Sequence, residues 1–266
     1  MIGAILGDMI GAPYEFDRGG KTKDFPLWSK ESTFTDDSVM TVAVAEALMN
    51  AQDQNMDDRE TLEELTRAMR KWAAWFPYAG YGRMFCAWLS MEEPKPYGSY
   101  GNGSAMRVSA AGWLYDDLET TERMAALTAS VSHNHPEGIK AAQATASAIY
   151  LAGVHGMDYI REYITRRYEY DLTRTCAELR PHNQHDETAM WTMPLVFAAF
   201  FESTSYEDAI RNAVSLGGDT DTIACITGSI AEAYYGGVPQ EIINEGIRRM
   251  PLSFRKVIER FEKRRK

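Results

Sequence analysis

The sequence is poor in cysteine. Cys86, Cys176 and Cys225 are the only three in 266 residues, and none forms a CxxC pair. So few scattered thiols argue against a disulfide framework or a thiolate zinc site, and a reducing, cytoplasmic setting is expected. Basic charge is also short: 28 Lys and Arg face 38 Asp and Glu, a formal net charge of −10 spread along the chain. A surface that follows phosphodiester backbones needs the opposite balance, so nucleic acid is excluded as a general electrostatic partner. The final Arg264-Arg265-Lys266 run is too short to reverse this and reads as a solvated helix end. Long uncharged hydrophobic runs are missing. The apolar start MIGAILGDMIGA has no basic flank and is interrupted by Asp8, so neither a signal peptide nor a membrane partner is expected. Alternating β-branched and aromatic runs bounded by turn residues are scarce, and no linker, charge block or fixed-period repeat divides the chain.

Helical periodicity fills the space these absences leave. Leu62, Leu65, Met69, Trp72 and Ala73 recur at three- and four-residue spacing, the stripe of an amphipathic helix. An Ala-rich helix is expected from Thr35 to near Asn50, and another from Pro136 to Gly153, with proline at its start and glycine past its end. The same punctuation brackets Thr222 to Tyr235, and Phe254, Val257, Ile258 and Phe261 predict a last helix. The expected fold is all-α, a single compact multi-helix domain over residues 1–266. Gly3, Gly7 and Gly11 share one face of the first helix. Glycine costs about 1 kcal/mol per helical position relative to alanine, so close packing against a second helix must compensate.

Two acidic clusters carry the first chemical signal. Thr35-Asp36-Asp37 and Asp219-Thr220-Asp221-Thr222 each open a predicted helix, where capping and the helix dipole alone would favour such residues. Gly217-Gly218 before the second cluster lets the chain turn tightly and present carboxylates inward. Taken together, the clusters offer four carboxylates and threonine hydroxyls. Converging without cations, they would raise one another's pKa values. Oxygen-only ligation of this kind suits Mg²⁺, Mn²⁺ or Ca²⁺ rather than Zn²⁺. Neither an EF-hand nor a phosphatase D-x-D-x-T pattern fits the second cluster, since Ile223 stands where the latter needs threonine.

Between the clusters lies Gly98-Ser99-Tyr100-Gly101-Asn102-Gly103-Ser104-Ala105-Met106-Arg107, whose glycines free backbone N–H groups to approach an anion ahead of a helix. It lacks the G-x-G-x-x-G pattern of a dinucleotide fold. Ser132-His133-Asn134-His135-Pro136-Glu137-Gly138 offers a His-x-His pair with no obvious third zinc ligand, and His182 and His185 read as a solvated loop.

The ordered blocks GAILGDMIGAPYEF, FTDDSVMT, SYGNGSAMR, SHNHPEG and GGDTDTIA resemble the ADP-ribosylglycohydrolases, the family of dinitrogenase-reductase-activating glycohydrolase, from residue 1 to about 237. The resemblance implies an all-α domain with a centre of two Mg²⁺ or Mn²⁺ ions. Thr35, Asp36 and Asp37 would hold one side and Asp219, Asp221 and Thr222 the other, with Asp221 as the bridge. Glu15 matches a mobile glutamate that gates access to the centre. Gly98, Ser99, Tyr100, Gly101, Asn102, Gly103 and Met106 would bind the diphosphate and ribose of ADP-ribose, and His133 would contact a phosphate. Asp36, Asp37 or Glu15 would be the catalytic base. Tyr97 is the candidate to stack on adenine, although the stretch Glu93 to Tyr97 departs from the family's pattern there. Arg161 to Glu187 matches no family motif and is expected to shape acceptor choice.

The implied activity is metal-dependent removal of ADP-ribose from an ADP-ribosylated protein or small ADP-ribose conjugate. An N-glycosidic bond to arginine is favoured, with O-linked ADP-ribose on serine or small molecules as the alternative. A non-catalytic ADP-ribose-binding protein is the competing class, disfavoured because all six cluster positions and Glu15 are intact. A metal-dependent phosphatase or nucleotidase is the third, disfavoured by the helical pattern. The assembly state is left open, a monomer among the options.

Overall fold

Three glycines fix how the chain closes on itself. A Cβ built on Gly3, Gly7 or Gly11 would fall 2.5 Å or less from the backbone carbonyl oxygen of Gly228, Ala224 or Thr220 respectively. The partners step backward as the glycines step forward, so the two helices run antiparallel with their backbones in contact. This is the close packing the glycine stripe predicts, and the contact offsets the helix-forming cost of three glycines.

The structure, a computed structural model, describes residues 1–265. Its helices are α1 (Ile2–Gly11), α2 (Asp36–Gln54), α3 (Asp58–Trp75), α4 (Arg83–Ser90), α5 (Gly103–Met106), α6 (Ala111–Leu114), α7 (Leu118–Ser130) and α8 (Pro136–Ala152). After these come α9 (Met157–Tyr168), α10 (Cys176–Leu179), α11 (Ala189–Phe201), α12 (Tyr206–Ser215), α13 (Thr220–Tyr234), α14 (Gln240–Arg249) and α15 (Leu252–Glu262). Among the described residues the only β-type pairing is an isolated antiparallel bridge between Gly101 and Thr188, so the all-α expectation holds.

The helix at the centre is α13. It packs against α1, α8, α11 and α12 and is buried from Thr220 to Ala233. One hydrophobic cluster reaches from Met1 to Phe261 around it. Punctuation follows the sequence closely. Pro136 occupies the first turn of α8, which is capped by the His135 ring accepting from the Glu137 N–H at 3.2 Å, and α8 ends before Gly153. Asp57 and Glu60 form a reciprocal capping box at the start of α3. The helix after Thr35 runs past Asn50 to Gln54, where Asn55 takes the left-handed conformation that stops it (φ 51°). Of the basic C-terminal run, Lys266 lies outside the described residues, and Arg264 and Arg265 are less solvated than their sequence suggests. Arg265 pairs at 3.0 Å with Glu232, which is fully buried, and Arg264 pairs at 2.8 Å with Asp53.

The α1–α13 contact gives a mutation whose sign opposes helix propensity. Gly7→Ala should lower stability by about 2 kcal/mol or more, because the added methyl enters the Ala224 carbonyl. Propensity alone would favour alanine by about 1 kcal/mol. Thermal unfolding of the variant decides between the two, a raised Tm contradicting the close-contact account.

Candidate active site

The same contact delivers the second acidic cluster to the first. Thr220 Oγ1 donates to the Gly11 carbonyl at 2.9 Å, tying the start of α13 to the end of α1. The chain then passes through a 3₁₀ turn (Ala12–Asp17) in which Glu15 leaves the helical conformation and Phe16 and Asp17 enter the left-handed region (φ 59° and 56°). Left-handed backbone costs a non-glycine residue roughly 1–2 kcal/mol. Reciprocal bonds hold it: Phe16 N–H donates to Gly218 O at 2.9 Å, and Gly218 N–H donates to Asp17 Oδ1 at 2.8 Å. Gly217 and Gly218 both adopt positive φ (76° and 74°), the tight turn their pairing predicts. The strained turn aims Glu15 into a cleft instead of leaving it on a helix face.

That cleft, about 570 Å³, is lined by every site residue that the resemblance implies. Glu15, Thr35, Asp36, Asp37, Asp219, Asp221 and Thr222 line it together with Gly98, Ser99, Tyr100, Gly101, Asn102, Gly103, Met106 and His133. Thr35 also caps α2, accepting from the Asp37 N–H at 3.3 Å, so capping and clustering coexist there. At α13 capping fails as an explanation. Asp219 caps no N–H with its side chain; its Oδ2 accepts instead from Asn102 Nδ2 of the glycine loop at 2.6 Å. Thr222 Oγ1 donates to Asp37 Oδ2 at 3.3 Å, joining the two clusters directly.

Asp8, read in the sequence only as a break in an apolar run, belongs to this centre. It is fully buried and accepts from Thr35 N–H at 2.9 Å, Thr35 Oγ1 at 2.8 Å, Ser38 N–H at 3.1 Å and the Ser38 hydroxyl. It thereby clamps the first turn of α2 onto α1. A lone carboxylate inside an otherwise apolar, glycine-striped helix was the signal available for it.

The electrostatics of the centre are severe. Burial pushes Asp36 up to about 8 and Asp37 and Asp221 well above the carboxylate range, with neighbouring carboxylates adding to each. Asp219 and Asp8 rise to about 6, chiefly by burial against hydrogen bonds that pull the other way. Glu15 rises to about 7 by burial and the Asp221 charge. Among the described residues no Lys, Arg or His forms an ion pair with Asp8, Asp36, Asp37, Asp219 or Asp221. Asp37 Oδ1 is buried without a hydrogen-bond partner. An orphaned oxygen among unpaired carboxylates and threonine hydroxyls is the donor set of a hard divalent cation, and these residues fit one. His185 adds a nitrogen: Glu15, His185 and Asp219 each place a ligand atom within 4.8 Å of the others. The loop reading of His185 misses this placement, which the tilted contact of its ring with Phe16 (4.3 Å between centroids) helps to set.

The glycine loop is braced by the segment before α11. Asn102 N–H donates to Glu187 O at 2.8 Å and Ala189 N–H to Tyr100 O at 2.9 Å, while Gly98 N–H donates to Asn134 Oδ1 at 2.8 Å. The helix expected after the loop is a single turn, α5. His133 packs beneath it: a Cβ on Gly103 would lie 3.0 Å from His133 Nε2. Tyr97 is half-buried with its ring 5.8 Å from that of His133, whereas Tyr100 leaves about half of its side chain exposed (48%). Sequence reasoning did not single out Gly80, Arg83, Met84 and Phe85 before and within α4, or Glu187 and Thr188, which complete the walls. Their sequence carries no motif; they reach the cleft only through the fold.

Comparison with known proteins gives the family. The family model for ADP-ribosylglycohydrolase matches residues 1–264, and the chain belongs to that family of hydrolases. It is 26% identical over 316 aligned residues to the ADP-ribosylhydrolase ARH3 of Mus musculus, covering 89% of this chain and 82% of that protein. It is 25% identical over 258 residues to the ADP-ribosyl-[dinitrogen reductase] glycohydrolase of Rhodospirillum rubrum, covering 88% and 84%. A solved structure described as an ADP-ribosylglycohydrolase-related protein complex shares the fold, with a TM-score of 0.69 over 97% of this chain and 92% of that one at 22% identity. No helix among the described residues is long and apolar enough to cross a membrane.

Raised carboxylate pKa values mean that the ion-free folded chain binds more protons than the unfolded chain above about pH 4. The stability these groups contribute is therefore full below that pH and lost as pH climbs through about 8, the value for Asp36. Protein stripped of divalent ions should melt lower at mildly alkaline than at mildly acidic pH, and saturating Mn²⁺ should remove the difference. Equal Tm values for the stripped protein across that window would contradict the electrostatic account.

Proposed function

We propose that this protein hydrolyses the bond between C1 of the distal ribose of ADP-ribose and an acceptor side chain, with arginine on a protein as the favoured acceptor. The observation that carries this reading is the convergence of the two acidic clusters in one cleft that the glycine loop and His133 also line. Thr35, Asp36, Asp37, Asp219, Asp221 and Thr222 would hold two Mg²⁺ or Mn²⁺ ions, which supply charge neutralisation and Lewis acidity at the ribose. The cleft suits an elongated ligand with an anionic middle. The diphosphate would lie on the loop from Gly98 to Gly103 with Met106 behind it, and the distal ribose would face the carboxylates.

Bond cleavage builds positive, oxocarbenium-like charge at C1, which the carboxylate wall stabilises. Asp36 and Asp37 are committed to cations in this arrangement, so Glu15 is the carboxylate left to accept a proton from the attacking water. Its place on a strained turn at the cleft mouth suits that duty. Tyr100, with the freer ring face, is a better platform for adenine than the half-buried Tyr97.

The mouth beyond Glu15 is acidic and aromatic. Glu187 is well exposed there, bonded to His185 at 3.1 Å, and Phe16 already carries the Arg18 guanidinium 5.0 Å from its ring centroid. A guanidinium acceptor would meet the Glu187 carboxylate, which a serine hydroxyl does not require. Serine and small O-linked conjugates form the alternative, and ADP-ribose binding without turnover the third outcome.

Release of labelled ADP-ribose from modified arginine, serine and small O-linked substrates tests the proposal. Release from arginine should be fastest and should cease with EDTA. Glu15→Gln should lower kcat by about 10²–10⁴-fold. Glu187→Gln should raise KM for the arginine substrate more than for the serine one. Release that survives EDTA would overturn the mechanism, and preference for serine would overturn the acceptor assignment.

A further inference from the structure

Beside the glycine loop three buried side chains, Arg107, Ser132 and His133, form a hydrogen-bonded chain, of which Arg107 and His133 also line the cleft. Arg107, 1% exposed, follows α5, and its guanidinium crosses the core toward the end of α7. Its Nη2 donates to the Thr128 carbonyl at 3.2 Å and to Ser132 Oγ at 2.8 Å. Ser132, fully buried, is in turn 2.9 Å from His133 Nδ1. His133 is nearly buried too, its backbone N–H bonded to Ala129 O at 2.8 Å and its Nε2 turned toward Gly101 and Gly103.

Donor and acceptor counting settles the direction of this chain. A guanidinium has donors and no acceptor, so Ser132 Oγ must accept from Arg107. The hydroxyl has one hydrogen of its own, and among the described residues its side-chain oxygen meets only Arg107 and His133. If His133 Nδ1 carried a proton, the buried hydroxyl hydrogen would have nowhere to go. It therefore points at Nδ1, which must be the unprotonated nitrogen. Burial, reinforced by the Arg107 charge, holds the His133 pKa well below its ordinary value, so the ring is neutral and its one proton sits on Nε2. Arg107, pushed down to about 10 by burial, still carries its charge at neutral pH.

We propose that Arg107 and Ser132 are positioning residues that lock His133 as the tautomer protonated at Nε2, giving the glycine loop a fixed N–H donor for an anionic group. The same lock denies Nε2 a lone pair for metal binding. The His-x-His pair is thus divided between two other tasks, since His135 caps α8 through its Nδ1. The inference deepens the ADP-ribose reading by naming what prepares the diphosphate subsite, and it rests on that reading for the identity of the anion alone.

Nitrogen NMR of protein labelled at histidine tests the lock without ligand, the His133 signals being assigned by their loss in His133→Ala. The expected spectrum has an unprotonated Nδ1 and a protonated Nε2. Ser132→Ala, which removes one buried oxygen, should turn this into a mixture of tautomers and raise the Kd for ADP-ribose about tenfold. In the His133→Ala background the same change should add little. Arg107→Met should give the same mixture, and Ser132→Ala carries the test if that larger truncation fails to fold. A proton on Nδ1 in the wild type, an unchanged tautomer in Ser132→Ala, or losses that multiply in the double variant would each overturn the proposal. Failure of the wild type to bind ADP-ribose would overturn the ADP-ribose reading instead, and the spectrum would still decide the lock.

Discussion

The backbone contact between α1 and α13 is the constraint on which the rest depends. Glycines at three successive turns let two helices, 200 residues apart in sequence, approach until only hydrogens separate their main chains. A closely packed antiparallel pair has little freedom to slide, because any added Cβ meets a carbonyl oxygen. The end of α1 is thus held against the start of α13, and the turn carrying Glu15 against the turn carrying Gly217 and Gly218. Asp8, on the same helix, takes hold of the start of α2. One helix therefore registers both acidic clusters at once.

That registration works against electrostatics. Four buried aspartates and the partly buried Asp36, with no cationic side chain among the described residues paired to them, would be ionised only at high cost. A structure of this kind is built for a species that is not itself protein. The scaffold has to be stiff enough to hold the carboxylates together before that charge arrives, and the burial of all ten residues of α1 provides the stiffness. The packing and the site are two aspects of one arrangement: the glycine contact holds in place groups whose own repulsion would separate them.

The rest of the cleft is built on different terms. The glycine loop has no long helix behind it, α5 being one turn, so its shape comes from crosslinks to Glu187, Ala189 and Asn134 and from the ring of His133 beneath. Asn102 donates to Asp219, so the loop and the carboxylates are joined directly. Through these links, displacement of the loop would be felt at the carboxylates.

Helix identity was legible because it is local: three- and four-residue spacing, Pro136 at a first turn and the capping residues act within a few positions. The glycine stripe also announced a close partner, though not which helix. Each acidic cluster taken singly was indistinguishable from a cap, and Thr35 is in fact a cap as well. Their pairing was legible only through the order of the motifs along the chain. Asp8 was legible only as a lone carboxylate in an apolar helix, and His185, Glu187 and the residues before and within α4 were not legible, since what distinguishes them is their neighbours and no local pattern encodes a neighbour 30 or 200 positions away. The sequence by itself determined the all-α class, the helices with clear punctuation and the family. The tertiary structure alone decided that Asp8 clamps α2, that His185 stands beside Glu15, and that a buried arginine and serine orient His133. Those facts depend on desolvation and on hydrogen-bond counting, which exist only once the chain has folded around the groups concerned.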